Sequence, residues 1–276
     1  MQNSTVKTHE GQVIKLLSEL ARNHGLRQVF ADFVEIAAIA LSRLDTTNAP
    51  RREEQFTKVM MKYSGTERAV LVSAFGELVL SFEARFSVHP AIASDQTRYS
   101  IQFDDVLGRL FMSLDMGNTR SGQFFTPFSV SQLLARMNAT DRTRIDEVGF
   151  VRVCEPACGS GGMVIALADA YSSMGLNYQR CMHATAYDID ARCIHMAFVQ
   201  LSLLHIPAVL VHGNTLSGER WDVWVTPAHI LGRWNNRLNQ GLQQAGTGGE
   251  KVELRLDAEL AAPRLDKNGV PQLSLF

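Results

Sequence analysis

The chain predicts an α/β fold: a parallel sheet wound with helices, cut short on its C-terminal side and preceded by a helical N-terminal region. Three observations predict it. Apolar residues recur at helical spacing through the first third of the chain. From residue 150 onward, short runs rich in valine and alanine alternate with helical runs. The first of these runs leads into a glycine-rich loop, Glu155-Pro156-Ala157-Cys158-Gly159-Ser160-Gly161-Gly162.

The elements follow in order. Residues 11–113 read as helical throughout. Val13, Ile14, Leu16, Leu17, Leu20 and Ala21 trace one helix face, and Phe33, Ile36, Ala37, Ala40, Leu41 and Leu44 trace a second. Residues 45–50 form a polar break ending in proline. Phe56, Val59, Met60 and Tyr63 mark a third helix, for which Gly65 suits the C-terminal cap. Residues 66–86 repeat the pattern with Val70, Leu71, Leu78, Val79 and Phe82, and His89-Pro90 closes it. All these stripes read as core packing. Beyond them, residues 151–154, 184–187, 208–211 and 222–225 read as four strands, with helices at 163–173 and 191–204. From Gln240 the chain loosens. Residues 243–249 have loop composition, 252–256 alternate like an edge strand, and 261–271 read as a polar linker.

Composition narrows the function classes. Hydrophobic residues make up 46% and charged residues 20%, an ordinary globular balance. No apolar run reaches the ~20 residues of a membrane helix, and residues 1–10 lack a signal-peptide core. A cytoplasmic location is the default expectation. The net charge is −1, without the basic excess of a stand-alone nucleic-acid binder. Arg51-Arg52 and Arg136, Arg142 and Arg144 read first as solvated surface. Cys154, Cys158, Cys181 and Cys193 lack the paired spacing of a zinc site and read as reduced structural thiols, so no metal is expected.

The glycine loop carries the chemistry. Gly159, Gly161 and Gly162 let the backbone turn sharply and let a ligand approach it. The following helix offers free N–H groups and a positive dipole end. The loop falls at the carboxyl ends of the strands, where open α/β sheets bind ligands. Taken alone, such a loop is equally a tight strand-to-helix turn.

Its surroundings are more specific. The sequence resembles the N6-adenine DNA methyltransferases, especially the modification subunits of type I restriction-modification systems. That family carries Asp/Glu-Pro-Ala-Cys-Gly-Ser-Gly-Gly as its motif for S-adenosylmethionine (SAM), matched throughout residues 155–162. Upstream it carries Gly-Gln-Phe/Tyr-Phe/Tyr-Thr-Pro, matched by Gly122-Gln123-Phe124-Phe125-Thr126-Pro127. Thr126 and Pro127 also suit the N-cap and first position of the helix through Leu133 and Met137. The resemblance covers residues 104–231 and implies a Rossmann-like methyltransferase fold with SAM as cofactor. It implies that Phe125 and Thr126 help to hold the methionine end of SAM and that Glu155 meets its amino group. The backbone from Pro156 and Ala157 through Gly159, Ser160, Gly161 and Gly162 would wrap the cofactor. Asp188, followed by Ile189, would accept hydrogen bonds from the ribose hydroxyls, the logic of dinucleotide sites; otherwise it is a surface loop acid. Asp190 reads as the N-cap of the next helix.

Two positions depart from the family. Gly213-Asn214 stands where the family has Gly-Asp, whose acid contacts the adenine of the cofactor. An asparagine still offers hydrogen bonds there. The family's catalytic Asn-Pro-Pro-Phe/Tyr is replaced by Thr226-Pro227-Ala228-His229. A threonine hydroxyl is a poor substitute for an amide that orients the amino group of a flipped adenine, while a histidine can still stack. Residues 228–276 are too few and too polar for the further strands of a target-base pocket.

The chain ends Gln272-Leu273-Ser274-Leu275-Phe276, which resembles the pentapeptide by which bacterial polymerases and repair proteins bind the sliding clamp. A free tail can lay its apolar side chains in a groove; a strand or helix packed at home, or chance, is the other reading. The expected division is a helical region over 1–118, a SAM-binding region over 119–240 and a tail over 241–276. The expected partners are DNA, the clamp and a specificity or second methyltransferase subunit. Three functions compete: an adenine-N6 DNA methyltransferase acting alone or with a partner subunit, a catalytically inactive pseudo-methyltransferase acting as a DNA- or clamp-associated binding module, and, more weakly, a small-molecule or protein methyltransferase.

Overall fold

The computed structural model describes residues 2–89, 98–114, 125–139 and 142–244. The tail motif, the alternating stretch at 252–256, and Gly122, Gln123 and Phe124 lie outside the described residues. The described residues up to Leu238 form one compact unit, and those from 239 to 244 fall outside it.

Four helices open the first unit: α1 Gln2–His24, α2 Leu26–Leu41, α3 Ala49–Met60 and α4 Gly65–Glu83. The apolar stripes drive them together. Val13, Leu17, Leu20, Phe30, Phe33, Leu71 and Leu78 are all buried in one cluster. Two local expectations change. Pro50 lies in the first turn of α3 instead of only breaking the chain before it, since its missing N–H costs nothing there. Gly65 does not cap the third helix; it is the first residue of α4. Ser64 is the N-cap there, and it exchanges hydrogen bonds with Glu67 in a capping box. The helical reading of 11–113 also misses a two-stranded antiparallel hairpin, β1 Phe86–His89 and β2 Arg98–Ile101. Helix α5 follows at Val106–Ser113.

The second half alternates as expected. Helices α6 Phe128–Asn138 and α7 Arg142–Val148 lead into β3 Val151–Glu155, α8 Gly162–Ser173, a short α9 Tyr178–Cys181, β4 Met182–Asp188, α10 Ala191–Leu203 and β5 Ala208–Asn214. The strand order is β3-β4-β5-β6, and the first three are parallel. The fourth strand, β6 Glu219–Val225, is the exception. It turns back after β5 and pairs with it antiparallel, Val209 opposite Val225 and Asn214 opposite Glu219. The sheet is therefore mixed, not wholly parallel, and α11 Pro227–Leu231 and α12 Trp234–Gln244 follow β6.

Helix α10 explains why the N-terminal helices and the sheet share a core. It packs on β4 and β5 and also against α2. Ile194, Met196, Ala197, Phe198, Val199 and Leu201 are all buried, so apolar residues cover most of its circumference.

A second tie joins α3 to β6. Arg52 donates two hydrogen bonds to Asp222, at 2.7 and 2.9 Å, and its guanidinium lies 3.3 Å from the centre of the Trp224 ring. Arg51 reaches the same carboxylate. The reading of Arg51-Arg52 as solvated surface is thus corrected: Arg52 is only 3% exposed. Burial in low dielectric requires such a charge to be paired, and composition could not reveal a partner some 170 residues away. Arg136 does lie exposed on α6, a helix that buries Ser131 and Ala135 but exposes Leu133 and Met137. Among the described residues, no helix is long and apolar enough to cross a membrane, and no group of metal-binding side chains gathers.

Candidate cofactor site

The carboxyl ends of β3 and β4 place two acids side by side. Glu155 closes β3 and Asp188 closes β4, each as the sequence suggests. Burial raises the pKa of the Glu155 carboxyl above the ordinary range, and the nearby Asp188 charge adds to the effect. Burial also raises Asp188, against the backbone donors that favour its charged form. Two neighbouring carboxylates held partly out of water are the arrangement that a cationic or hydroxyl-rich ligand relieves.

Between these acids runs the glycine loop. Gly159 and Gly161 adopt φ +52° and +93°, the left-handed region that disfavours any Cβ. Space is equally tight. A Cβ on Gly159 would lie 2.9 Å from the Phe125 ring, and one on Gly161 would lie 3.3 Å from Ala197 Cβ. The loop is laced to its neighbours through backbone groups. Cys158 N–H donates to Tyr187 C=O at 2.7 Å, Gly159 N–H to Asp188 Oδ2 at 2.8 Å, and Thr215 Oγ1 to Pro156 C=O at 2.7 Å. Ala157 N–H donates to Glu155 Oε1 at 3.2 Å. Gly161 takes the N-cap position of α8, so Gly162 is already the first residue of the helix.

The remaining sequence-designated residues divide. Phe125 lies against the loop, and Thr126 is exposed just before α6. Pro127, not Thr126, is the N-cap of that helix, so the expected start shifts by one residue. Pro156 and Ala157 are exposed at the loop's outer side, as is Ile189, whose carbonyl accepts from His212 Nε2 at 3.2 Å. Asp190 caps α10 through the Arg192 N–H, as its place in the sequence suggests.

Two side chains point elsewhere. Ser160 is buried and its hydroxyl donates to Asp105 at 2.5 Å, behind the loop. Asn214 Oδ1 accepts from the N–H groups of Leu216 and Ser217, at 3.0 and 3.4 Å, within the turn between β5 and β6. Its acceptor is therefore spent on an Asx-type turn, which the Gly-Asn dipeptide alone does not disclose.

The largest displacement concerns Thr226, Pro227 and His229. Because β6 runs antiparallel, its C-terminal end lies beside the start of β5, a strand length, roughly 20 Å, from the end that carries Glu155 and Asp188. Thr226 is fully buried there. It donates to Ile206 C=O at 2.9 Å and accepts from Ala208 N–H at 2.9 Å. His229 is also buried. Its Nε2–H donates to Asn235 Oδ1 at 2.9 Å, so its Nδ1 accepts from His183 Nε2–H at 2.8 Å. Burial pushes His183 down to about 3, and it lowers His229 as well. Both rings are neutral near pH 7. Pro227 simply begins α11.

The residues at the crevice fit SAM on the structure's own terms. Glycine at 159 leaves the loop backbone bare beside the Phe125 ring, where a Cβ would collide, and Glu155 and Asp188 keep carboxylate lone pairs beyond those used by the backbone.

Sequence reasoning missed Asp105 and Gln200, which hold the loop from behind. The available signal was Asp105 placed three residues before Gly108, an N-cap pattern, and Gln200 as the one amide on an otherwise apolar helix face.

No curated protein matches the chain. Among solved structures, a protein of Listeria monocytogenes assigned as a class I SAM-dependent methyltransferase is similar at 13% identity and a TM-score of 0.41. The match covers 78% of this chain and 56% of that protein, so the chain spans just over half of its length. Residues 105–232 match the model of the N-6 DNA Methylase family, a span that holds the glycine loop and both acids, and that match indicates SAM as the cofactor.

Proposed function

We propose that this chain is the SAM-holding part of an adenine-N6 DNA methyltransferase and that methyl transfer requires a partner subunit. Glu155 accepts from the cofactor's ammonium group and Asp188 from its ribose hydroxyls, while the backbone of residues 156–162 follows the rest of the molecule. Phe125 closes the loop on one side. When bound, SAM supplies a methyl group made electrophilic by its sulfonium sulfur.

One observation carries this reading: the two acids and the glycine loop converge at one end of the sheet, while Thr226 and His229 lie at the other. The chain's own groups hold the cofactor. The groups that orient an adenine come from a specificity or second methyltransferase subunit, with DNA as the shared substrate.

The burial of Thr226 also favours a second reading, a pseudo-methyltransferase that binds SAM and acts as a module. In that reading, Gln272, Leu273, Ser274, Leu275 and Phe276 dock it on the sliding clamp. Sequencing that detects N6-methyladenine separates the two, applied to cells with and without the gene and its neighbours. Methylation that depends on the gene and disappears with Gly159→Val supports the enzyme. Its absence, with SAM still bound by the purified chain, leaves the module. Clamp recovery in a pull-down that is unchanged after deletion of residues 272–276 removes the docking idea.

A further inference from the structure

A loop built from glycines cannot hold its own shape. Gly159 and Gly161 have no side chains with which to anchor it, and their backbone freedom is largest in the unfolded chain. The residue between them is Ser160, and its hydroxyl and its carbonyl are both held. Ser160 Oγ donates to Asp105 Oδ2 at 2.5 Å. Ser160 C=O accepts from Gln200 Nε2 at 2.8 Å.

These two anchors also hold one another. The second hydrogen of Gln200 Nε2 goes to Asp105 Oδ1 at 2.8 Å, so both amide hydrogens are used. Gln200 Oε1 accepts from Leu107 N–H at 3.0 Å, and Asp105 Oδ1 accepts from Gly108 N–H at 3.0 Å. Gln200 is fully buried, and Ser160 and Asp105 are nearly so. The close approach demands two further glycines. A Cβ on Gly108 would fall 2.2 Å from Asp105 Oδ2, and one on Gly162 would fall 3.1 Å from it.

We infer that Asp105 and Gln200 are positioning residues that fix the glycine loop in its cofactor-binding conformation by holding Ser160 from behind. They sit at the N-cap of α5 and on α10, elements that flank the loop without belonging to the strand–loop–helix unit that carries the motif. The inference rests on the SAM reading only for its consequence for binding, not for the network itself. Its chemistry is directional. A carboxylate accepts from all three donors at once. An amide in its place brings an NH2 group against either the Gln200 NH2 or the Ser160 hydroxyl, so at least one of the bonds is lost or reversed.

Asp32 provides the control, a buried carboxylate that accepts from Gln28, Lys62 and Tyr63 within the N-terminal helices and has no bond to the loop. Amide hydrogen exchange is measured on the full chain without ligand, followed by SAM titration in a calorimeter. With Asp105→Asn, the amides of residues 159–162 exchange about tenfold faster or more, through local opening, while α1–α4 keep their rates. SAM affinity falls about tenfold. With Asp32→Asn, the N-terminal helices exchange faster and the loop does not. Ser160→Ala, a smaller change, gives a weaker form of the Asp105→Asn pattern and serves if that variant does not fold. Wild-type loop exchange in both Asp105→Asn and Ser160→Ala overturns the inference. If the wild-type chain binds no SAM, the functional reading fails, and loop exchange still decides the positioning role.

Discussion

The two ends of the sheet carry similar residue types and do different things with them. At the carboxyl end of β3 and β4, Glu155 and Asp188 are partly buried acids whose bonds go to backbone N–H groups, and burial raises both. At the opposite end, Thr226, His183 and His229 are buried polar groups whose bonds go to one another, to Asn235 and to the neighbouring strand. Polar groups with spare bonding capacity beside a glycine loop can still take up a ligand. Polar groups that satisfy each other form part of a core. The proline-containing motif after β6 therefore reads as an element of stability, although in sequence it stands where the N6-adenine methyltransferases it resembles carry their catalytic motif.

The sharpest test of that contrast pairs Gly159→Val with Thr226→Val. Valine at 159 is strained at φ +52° and meets the Phe125 ring, so SAM affinity should drop by about a hundredfold or more, near 3 kcal/mol. Valine at 226 keeps the shape but leaves Ala208 N–H and Ile206 C=O without their partner. It should lower unfolding stability by about 1–3 kcal/mol and leave SAM affinity unchanged. Calorimetric titration and denaturant unfolding of both variants check the pair. Loss of SAM binding in Thr226→Val would break the contrast.

Much of this contrast was legible from residues alone. The glycine loop, Glu155, Asp188 and the cap at Asp190 were all placed by motif and spacing, because strand-end acids and turn glycines are local features. The direction of β6 was not legible. Residues 222–225 have the same composition in a parallel or an antiparallel strand, and only the tight turn through Asn214 and Gly218 reverses the chain. The partners of Arg52 and Ser160 were hidden for the same reason, since a long-range contact leaves no local period. The hairpin of β1 and β2 was lost inside a helical reading because its strands are only four residues each.

The histidine pair offers a test of intermediate size. Burial pushes His183 in the folded chain down to about 3, well below the ordinary value near 6.5. The unfolded chain therefore takes up a proton first. The stability that the neutral ring allows is complete above about pH 6.5 and is lost as pH falls toward 3. The slope is at most about 1.4 kcal/mol per pH unit for this ring within that window. The raised carboxyls Asp105, Glu155 and Asp188 act in the opposite sense in their own acid range, so a variant comparison isolates the ring. His183→Gln should show a shallower loss of stability than wild type between pH 6.5 and 5 in denaturant unfolding. Parallel curves would mean that the ring titrates alike in both states.

Asn214 is the residue on which the contrast between the two ends can be tested most finely. It lies at the carboxyl end with the acids, yet its side-chain oxygen is engaged by Leu216 and Ser217. If position decides function, Asn214→Ala should weaken SAM binding as strongly as a change at Glu155. If bonding capacity decides, the loss belongs to the turn. The variant should then be less stable by about 1 kcal/mol and bind SAM within about threefold of wild type. Asn214→Asp separates the two further, because the carboxylate keeps the turn acceptor and restores the acid that the family carries at this place. A gain in SAM affinity in that variant, with stability unchanged, would show that the crevice extends to the end of β5. An unchanged affinity would confine it to β3, β4 and the glycine loop.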